Sequence, residues 1–397
     1  MALTLVSNPG SSSKKYALYR DGRESLFFEI AKQQPDAWIR VRKGSTWVID
    51  EGLPERFYTH SIERVFAIAK TYGVLSSIEE IDQVGVRVVA PGQQFQTHQL
   101  ITPEFLKQLR AKVGSAPLHI PPVLKECEYL VRHLPNVPLV AVSDSAFHSQ
   151  KPEHAAHYTI PDHDARRFDI YRFGYHGLSV ASVMRRLHAV SGHDHERVIV
   201  CHLGSGASIT AVKNGVGIDT SMGFSPGSGL VMASRAGDLE PGAVIELMRV
   251  QNMTPLDMYT YMQTRGGLQG VAGINEFRLV IERAAGGDES ARKAMRMFAY
   301  SVKKHIGAFV AALGGLDCLV VTATAGERSP VMRRQCLSDL DYLGISLDHD
   351  RNEELAGKEG TISPSGAPVQ VVVMRTDEME EMRRQAEAHV TPNHLSS

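Results

Sequence analysis

Cysteine is scarce: Cys127, Cys201, Cys318 and Cys336 are four residues among 397, far apart and without a C-x-x-C pair. That pattern excludes a disulfide framework and a cysteine zinc site. No charge excess exists either, since 43 Lys and Arg against 44 Asp and Glu leave a formal net charge of −1. No global field then draws the chain to nucleic acid or anionic lipid, and any anion it binds must be met by a local cluster. No stretch approaches the roughly 20 apolar residues of a membrane span. The start, Met1-Ala-Leu-Thr-Leu-Val-Ser-Asn8, has neither the basic region nor the apolar run of an export signal. These absences predict a cytoplasmic protein with no nucleic-acid or membrane partner. Also missing are G-x-x-x-x-G-K-[ST], H-E-x-x-H, G-x-S-x-G and a protein-kinase catalytic loop, so any handling of nucleotide phosphates uses another scaffold.

What is present is an ordinary globular balance, 43% hydrophobic and 22% charged, in a length that favours two domains. Short β-branched runs predict strands at Leu3–Val6, Val84–Val89, Leu139–Val142, Val198–Cys201, Leu319–Thr322 and Val369–Val373. Their unbroken apolar character suits strands buried on both faces. Between them, Met295, Phe298, Val302, Ile306, Phe309 and Leu313 recur at spacings of three and four, one apolar helix face ended by Gly314-Gly315. Strands alternating with helices imply a largely parallel sheet, or two.

One pattern occurs twice. The strand at Leu3–Val6 is followed by Asn8-Pro-Gly-Ser-Ser-Ser13, a strand at Tyr16–Tyr19, the turn Asp21-Gly22 and a strand at Leu26–Ile30. The strand at Val198–Cys201 is followed by Leu203-Gly-Ser-Gly-Ala-Ser208, a strand at Ile209–Val212, the turn Asn214-Gly215 and a strand at Val216–Ile218. Half a chain apart, these segments predict a duplicated fold with one phosphate-binding turn per half, facing a shared cleft. The boundary is expected near residue 150. This gives an N-terminal α/β domain over 1–150, completed by a helix within 377–397, and a C-terminal α/β nucleotide-binding domain over 151–376.

Several residues stand out chemically. The first turn offers backbone N–H groups, serine hydroxyls and the cations Lys14 and Lys15. Arg87 sits inside an apolar strand, where a guanidinium needs either a buried acid or a ligand anion. Asp144 follows a strand end, where open α/β sheets place ligand groups and where Asp also caps or turns the chain. Arg235 lies among small residues, and reads either as a ligand contact or as a surface arginine. Among 17 histidines, His176 and His202 are best placed to meet an oxyanion.

Taken together these segments resemble the acetate/propionate kinase family. The family's N-x-G-S-S-S-x-K-Y start corresponds to Asn8-Pro-Gly-Ser-Ser-Ser-Lys-Lys-Tyr16, and its G-H-R-V-V-H-G-G segment is similar to Gly85-Val-Arg-Val-Val-Ala-Pro-Gly92. Ala116-Pro-Leu-His-Ile-Pro121, Ser143-Asp-Ser-Ala-Phe-His148, Phe173-Gly-Tyr-His-Gly177 and Cys201-His-Leu-Gly-Ser-Gly206 follow in the family's order. The longest match runs from Asp219 to Asp238. The resemblance implies a duplicated RNase H-like α/β fold of the sugar kinase/Hsp70/actin type, two domains around a central cleft. It also implies reversible phosphoryl transfer between ATP and a short-chain carboxylate, acetate first, with Mg²⁺ or Mn²⁺, in a homodimer.

Site roles carry over residue by residue. Asp144, Arg87, Arg235 and His176 would be catalytic. Val89, Leu118, Tyr175 and Pro226 would line the acyl pocket. Ser11, Ser13, Lys15, His202, Gly204 and Gly206 would meet phosphates, and Glu276, Phe277, Arg278, Thr324 and Gly326 would lie on the nucleotide side. Asn8 and Glu378 would serve the metal. There are departures. The histidines flanking the first arginine are Val86 and Ala90, the pocket Phe is Tyr175, and the Asn of the Leu-Gly-Asn-Gly turn is Ser205. The adenosine-side G-G-I-G-E-N run is Ala323-Thr-Ala-Gly-Glu-Arg328, and a glycine lost beside the base can close the space it needs. Tyr175 leaves a propionate- or butyrate-preferring enzyme open. The altered loop leaves open a variant using orthophosphate or pyrophosphate, and a non-catalytic acyl-phosphate sensor is the reading outside enzymes.

Overall fold

A computed structural model describes residues 2–10, 13–33, 36–59 and 61–390. The chain divides into two compact units, one formed by the described residues up to Ala146 together with those from Asp377 on, the other by Phe147–Thr376.

The first unit holds strands β1 (Leu3–Pro9), β2 (Ser13–Arg20), β3 (Arg23–Gln33), β4 (Asp36–Lys43), β5 (Thr46–Leu53), β6 (Gln83–Val88), β7 (Gln99–Leu100) and β8 (Leu139–Ser143). They form one sheet in the order β5-β4-β3-β2-β1-β6-β8-β7. The second unit holds β9 (Arg197–Leu203), β10 (Ala207–Lys213), β11 (Val216–Thr220), β12 (Cys318–Thr322), β13 (Gly360–Thr361) and β14 (Gln370–Val373), in the order β11-β10-β9-β12-β14-β13.

The two sheets repeat one topology. In the first, β3, β2 and β1 are antiparallel neighbours, β1, β6 and β8 run parallel, and β7 closes the edge antiparallel. In the second, β11, β10 and β9 are antiparallel, β9, β12 and β14 parallel, and β13 antiparallel. The duplicated strand–turn–strand pattern of the sequence is thus a duplicated sheet, to which the first unit adds the hairpin β4–β5. The parallel strands are apolar throughout because both of their faces are covered: Leu3, Leu5, Val198, Val200, Val320 and Val372 are fully buried.

Helices supply the cover. In the second unit Val180, Val183 and Leu187 of the helix Gly177–Ser191 pack on Val198, Val200, Val320 and Val372. The helix with the regular apolar face runs Glu289–Leu313, six residues longer at its start than that face, because Asp288 caps it by accepting from the amides of Ser290 and Ala291. Gly314 ends it at φ 72°. In the first unit the last helix, Glu378–Val390, lies against β6. There a Cβ on Gly85 would stand 3.0 Å from the Ala386 Cβ, so only glycine admits the helix this closely. All four cysteines are free and buried.

Candidate active site

In the first unit, three strand ends and the start of one helix bring together four of the residues singled out above. Arg87 lies on β6, and Asp144 follows β8 with its amide donating to the Val88 carbonyl at 3.0 Å. The guanidinium meets the Asp144 carboxylate in bidentate fashion, Nε to Oδ1 at 3.2 Å and Nη2 to Oδ2 at 2.9 Å. Nη1 donates to Asn8 Oδ1 at 3.3 Å and stands 3.9 Å from Glu378 Oε2. Asn8 is delivered by β1, and Glu378 by the first turn of the helix that Gly85 admits. The Asp144 side chain is 1% exposed and that of Arg87 18%. Burial opposes the Arg87 charge, but Asp144 and Glu378 outweigh it and hold the guanidinium above its ordinary pKa. Of the two partners left open for Arg87 by the sequence, the acid is thus present.

At the end of β1, a Cβ on Gly10 would collide with the Ser13 carbonyl oxygen, so only glycine fits there. Tyr58 Oη donates to the Gly10 carbonyl at 2.9 Å. Ser13 is half-buried, and Lys15 is half-exposed at 4.0 Å from Glu29. Ser11 lies outside the described residues. Val89 and Leu118, the two acyl-pocket residues of this unit, are both half-buried.

The second unit gathers another set. His176 (φ 61°) and His202 stack, ring centroids 4.1 Å apart and planes 26° apart. Each Nδ1 is held by a serine, His176 by Ser208 Oγ at 3.0 Å and His202 by Ser179 Oγ at 2.8 Å. A Cβ on Gly206 would stand 3.2 Å from both His176 Nε2 and Arg235 Nη1, so the second Gly/Ser turn is flanked by an imidazole and a guanidinium. Arg235 is half-buried rather than a surface arginine, and its Nη1 donates to the Pro226 carbonyl at 3.0 Å. Tyr175 is 1% exposed, and its hydroxyl donates to the Phe224 carbonyl at 2.6 Å. The added hydroxyl is therefore spent on the backbone of the segment that carries Pro226.

On the nucleotide side, Glu276 and Arg278 are exposed at the start of the helix Phe277–Ala285, with Arg278 paired to Glu282. Phe277 packs edge-on against Phe298 at 4.9 Å. Thr324 is exposed and Gly326 buried on the short helix Ala323–Arg328. Ala323 has φ 63°, a left-handed backbone that glycine adopts freely and alanine does not. Gly204 neighbours it, its notional Cβ 3.4 Å from that of Ala323.

Supporting residues outside the motifs complete the picture. Ser179 and Ser208 orient the two imidazoles. Arg333, fully buried, donates to the Gly326 and Glu327 carbonyls at 2.8 and 3.0 Å and to both oxygens of Asn352, holding the helix Ala323–Arg328 from behind. Burial lowers its pKa to about 10. Serines and one arginine among 43 basic residues offer no spacing signal. Even the β9–β10 register, which sets Ser208 opposite His202, does not reveal that Ser208 holds His176 instead.

Each sheet has a strand leading into a Gly/Ser turn near an arginine or an imidazole, the kind of phosphate-binding turn that phosphotransferases use. The chain belongs to the acetokinase family, whose model matches residues 3–383. It is 40% identical to the acetate kinase of Dictyoglomus turgidum over 382 residues, 94% of each chain. The crystal structure of Porphyromonas gingivalis acetate kinase superposes with a TM-score of 0.86 at 33% identity, over 98% of this chain and 100% of that one. A propionate kinase from Francisella tularensis gives a TM-score of 0.89 at 30% identity, over 98% and 99%.

Proposed function

We propose that the chain catalyses reversible phosphoryl transfer between ATP and a short-chain carboxylate, acetate first, giving the acyl phosphate and ADP. The observation that carries this reading is the convergence of Asn8, Asp144 and Glu378 on the Arg87 guanidinium. In-line transfer asks for positioning and charge neutralisation more than covalent chemistry. The carboxylate nucleophile is already ionised at pH 7, so no strong base is required. Arg87, oriented by Asp144, and Arg235 bind the carboxylate and the oxygens of the phosphoryl group in flight. His176 donates to those oxygens with its Nδ1 fixed by Ser208. Ser11, Ser13, Lys15, His202, Gly204 and Gly206 receive the other phosphates. Val89, Leu118, Tyr175 and Pro226 enclose the acyl chain. Glu276, Phe277, Arg278, Thr324 and Gly326 take the adenosine.

Asn8 and Glu378 offer the hard oxygen atoms that Mg²⁺ or Mn²⁺ accepts together with phosphate oxygens. The ion, when bound, adds positive charge opposite the transferring group. The active species is a cytoplasmic homodimer. Among the described residues no helix is long and apolar enough to cross a membrane.

Ala323, strained where the family has glycine, favours one second reading, an enzyme that takes orthophosphate or pyrophosphate in place of the nucleotide. Trapping acyl phosphate with hydroxylamine separates the readings. Acetate with ATP and Mg²⁺ is expected to yield acetohydroxamate, at a rate above propionate and butyrate. Product from pyrophosphate and none from ATP would establish the second reading, and no product from any donor would overturn both.

A further inference from the structure

The two lysines after the first Gly/Ser turn have different surroundings. Neighbouring strand residues project to opposite faces of a sheet, so Lys14 leaves the face that Lys15 occupies. Lys14 is 7% exposed, with its ammonium 3.9 Å from the carboxylate of Glu126, itself 4% exposed. Glu126 comes from the helix Ile120–His133 and also accepts from Ser7 Oγ at 2.8 Å. Beside this buried pair opens a cavity of about 490 Å³, walled by Tyr58, Tyr129, Pro121 and Pro122, with Leu118 at one side. That volume lies within the range of small-molecule clefts, roughly 300–1,000 Å³.

The charge lining this cavity is unbalanced. Lys32, Lys125 and Arg132 also line it, and none of the three forms an ion pair among the described residues. Of the two acids present, Glu126 is matched by Lys14 and Glu128 by Arg110. The ammonium groups of Lys14 and Lys32 stand 5.2 and 4.9 Å from the centroid of the Tyr58 ring. Burial lowers the Lys14 pKa, and Lys125 and Lys32 push the same way against Glu126. A cluster of cations around proline and tyrosine walls is complementary to a ligand that brings negative charge and a flat apolar body together.

We infer that this cavity binds a small organic dianion or polyanion with a planar apolar body, at a site separate from the residues assigned to the acyl and nucleotide substrates except for Leu118 on its wall. The occupant would lie against Tyr58, whose hydroxyl holds the Gly10 carbonyl, and so against the turn that carries Asn8 and Lys15. Occupancy therefore changes turnover as well as adding a binding event.

The test uses the full-length enzyme with ATP saturating and no carboxylate, titrated calorimetrically with phenyl phosphate, inorganic phosphate and phenol in turn. One phenyl phosphate per chain is expected to bind, at least tenfold more tightly than inorganic phosphate or phenol. The double variant Lys125→Gln/Arg132→Gln, both positions exposed, should weaken that binding tenfold or more. Its turnover without probe should stay within twofold of wild type, with an unchanged melting temperature. Phenyl phosphate should alter the turnover of wild type and not of the variant. Absence of binding up to about 10 mM, a weak limit for a cleft of this size, would overturn the proposal. So would equal binding by the variant, or equal inhibition of both enzymes, which would place the probe at the substrate site alone.

Discussion

Replacing Asp144 with asparagine tests the contact on which the proposed site depends. The Asp144 carboxylate accepts two guanidinium bonds, at 3.2 and 2.9 Å, and is 1% exposed. Asparagine keeps the shape and one carbonyl oxygen but removes the charge and turns an NH₂ group toward Arg87. The remaining acid, Glu378, is 3.9 Å away. Removing one partner of a buried ion pair costs about 3–5 kcal/mol. Arg87 keeps 18% exposure and the weaker contact to Glu378, which puts the variant at the lower end, about 3 kcal/mol. For a unit of this size, that lowers the melting temperature by roughly 6–12 °C. Misdirecting an oriented donor to the transition state costs about 2.7–4 kcal/mol, or about 10²–10³ in kcat. The assay is hydroxamate formation from acetate and ATP, run well below both melting temperatures, with circular dichroism confirming the fold. A folded variant within tenfold of wild-type kcat would refute the role given to Asp144, and an unchanged melting temperature would refute the energetics.

Ala323→Gly should relieve a left-handed alanine that costs about 1–2 kcal/mol, less the entropy that glycine adds to the unfolded chain, about 0.5–1 kcal/mol. Thermal melts are expected to rise by a few degrees, and a fall would mean that the φ of 63° at Ala323 is not strained. Tyr175→Phe leaves the Phe224 carbonyl without its donor, at a cost of about 1–3 kcal/mol. The order of preference among acetate, propionate and butyrate should not change, because the hydroxyl is directed at the backbone; a reordered preference would put that hydroxyl in the acyl pocket. His98 accepts the Ser143 amide at Nδ1 and must stay neutral, and burial, with His389 nearby, lowers its pKa from 6.5 to about 4. Between those values the unfolded chain binds a proton that the folded chain does not. Stability should therefore fall as pH drops through that window, by up to about 1.4 kcal/mol per pH unit from this group. Chemical denaturation of His98→Asn from pH 7 to pH 4 should show a shallower loss, and a parallel loss would exclude His98 as a source.

What the sequence reveals here follows from how local each signal is. The buried parallel strands announce themselves because both faces are apolar, and the duplication because each half repeats a tight turn and a hairpin. The hairpin β4–β5 escapes that reading. In β4, Ala37, Ile39 and Val41 are buried, but they alternate with Trp38, Arg40 and Arg42, and the arginines stack on Trp47 and Phe27. Such a strand shows no apolar run. Arg87 was legible as an arginine in an apolar strand, while its partner is remote in sequence. The serines behind His176 and His202, and Arg333 behind the helix Ala323–Arg328, act through contacts that only the folded chain creates. Lys14 and Lys15 look alike in the sequence, and pleating alone gives one to Glu126 and leaves the other near Glu29.

The most direct test of the proposed reaction is phosphorus NMR of the purified protein with acetyl phosphate and Mg²⁺, in parallel samples containing ADP and orthophosphate. ATP is expected to grow in the ADP sample alone as the acetyl phosphate resonance decays. Acetyl phosphate falling only at the buffer rate in both samples, or pyrophosphate appearing in place of ATP, would contradict it.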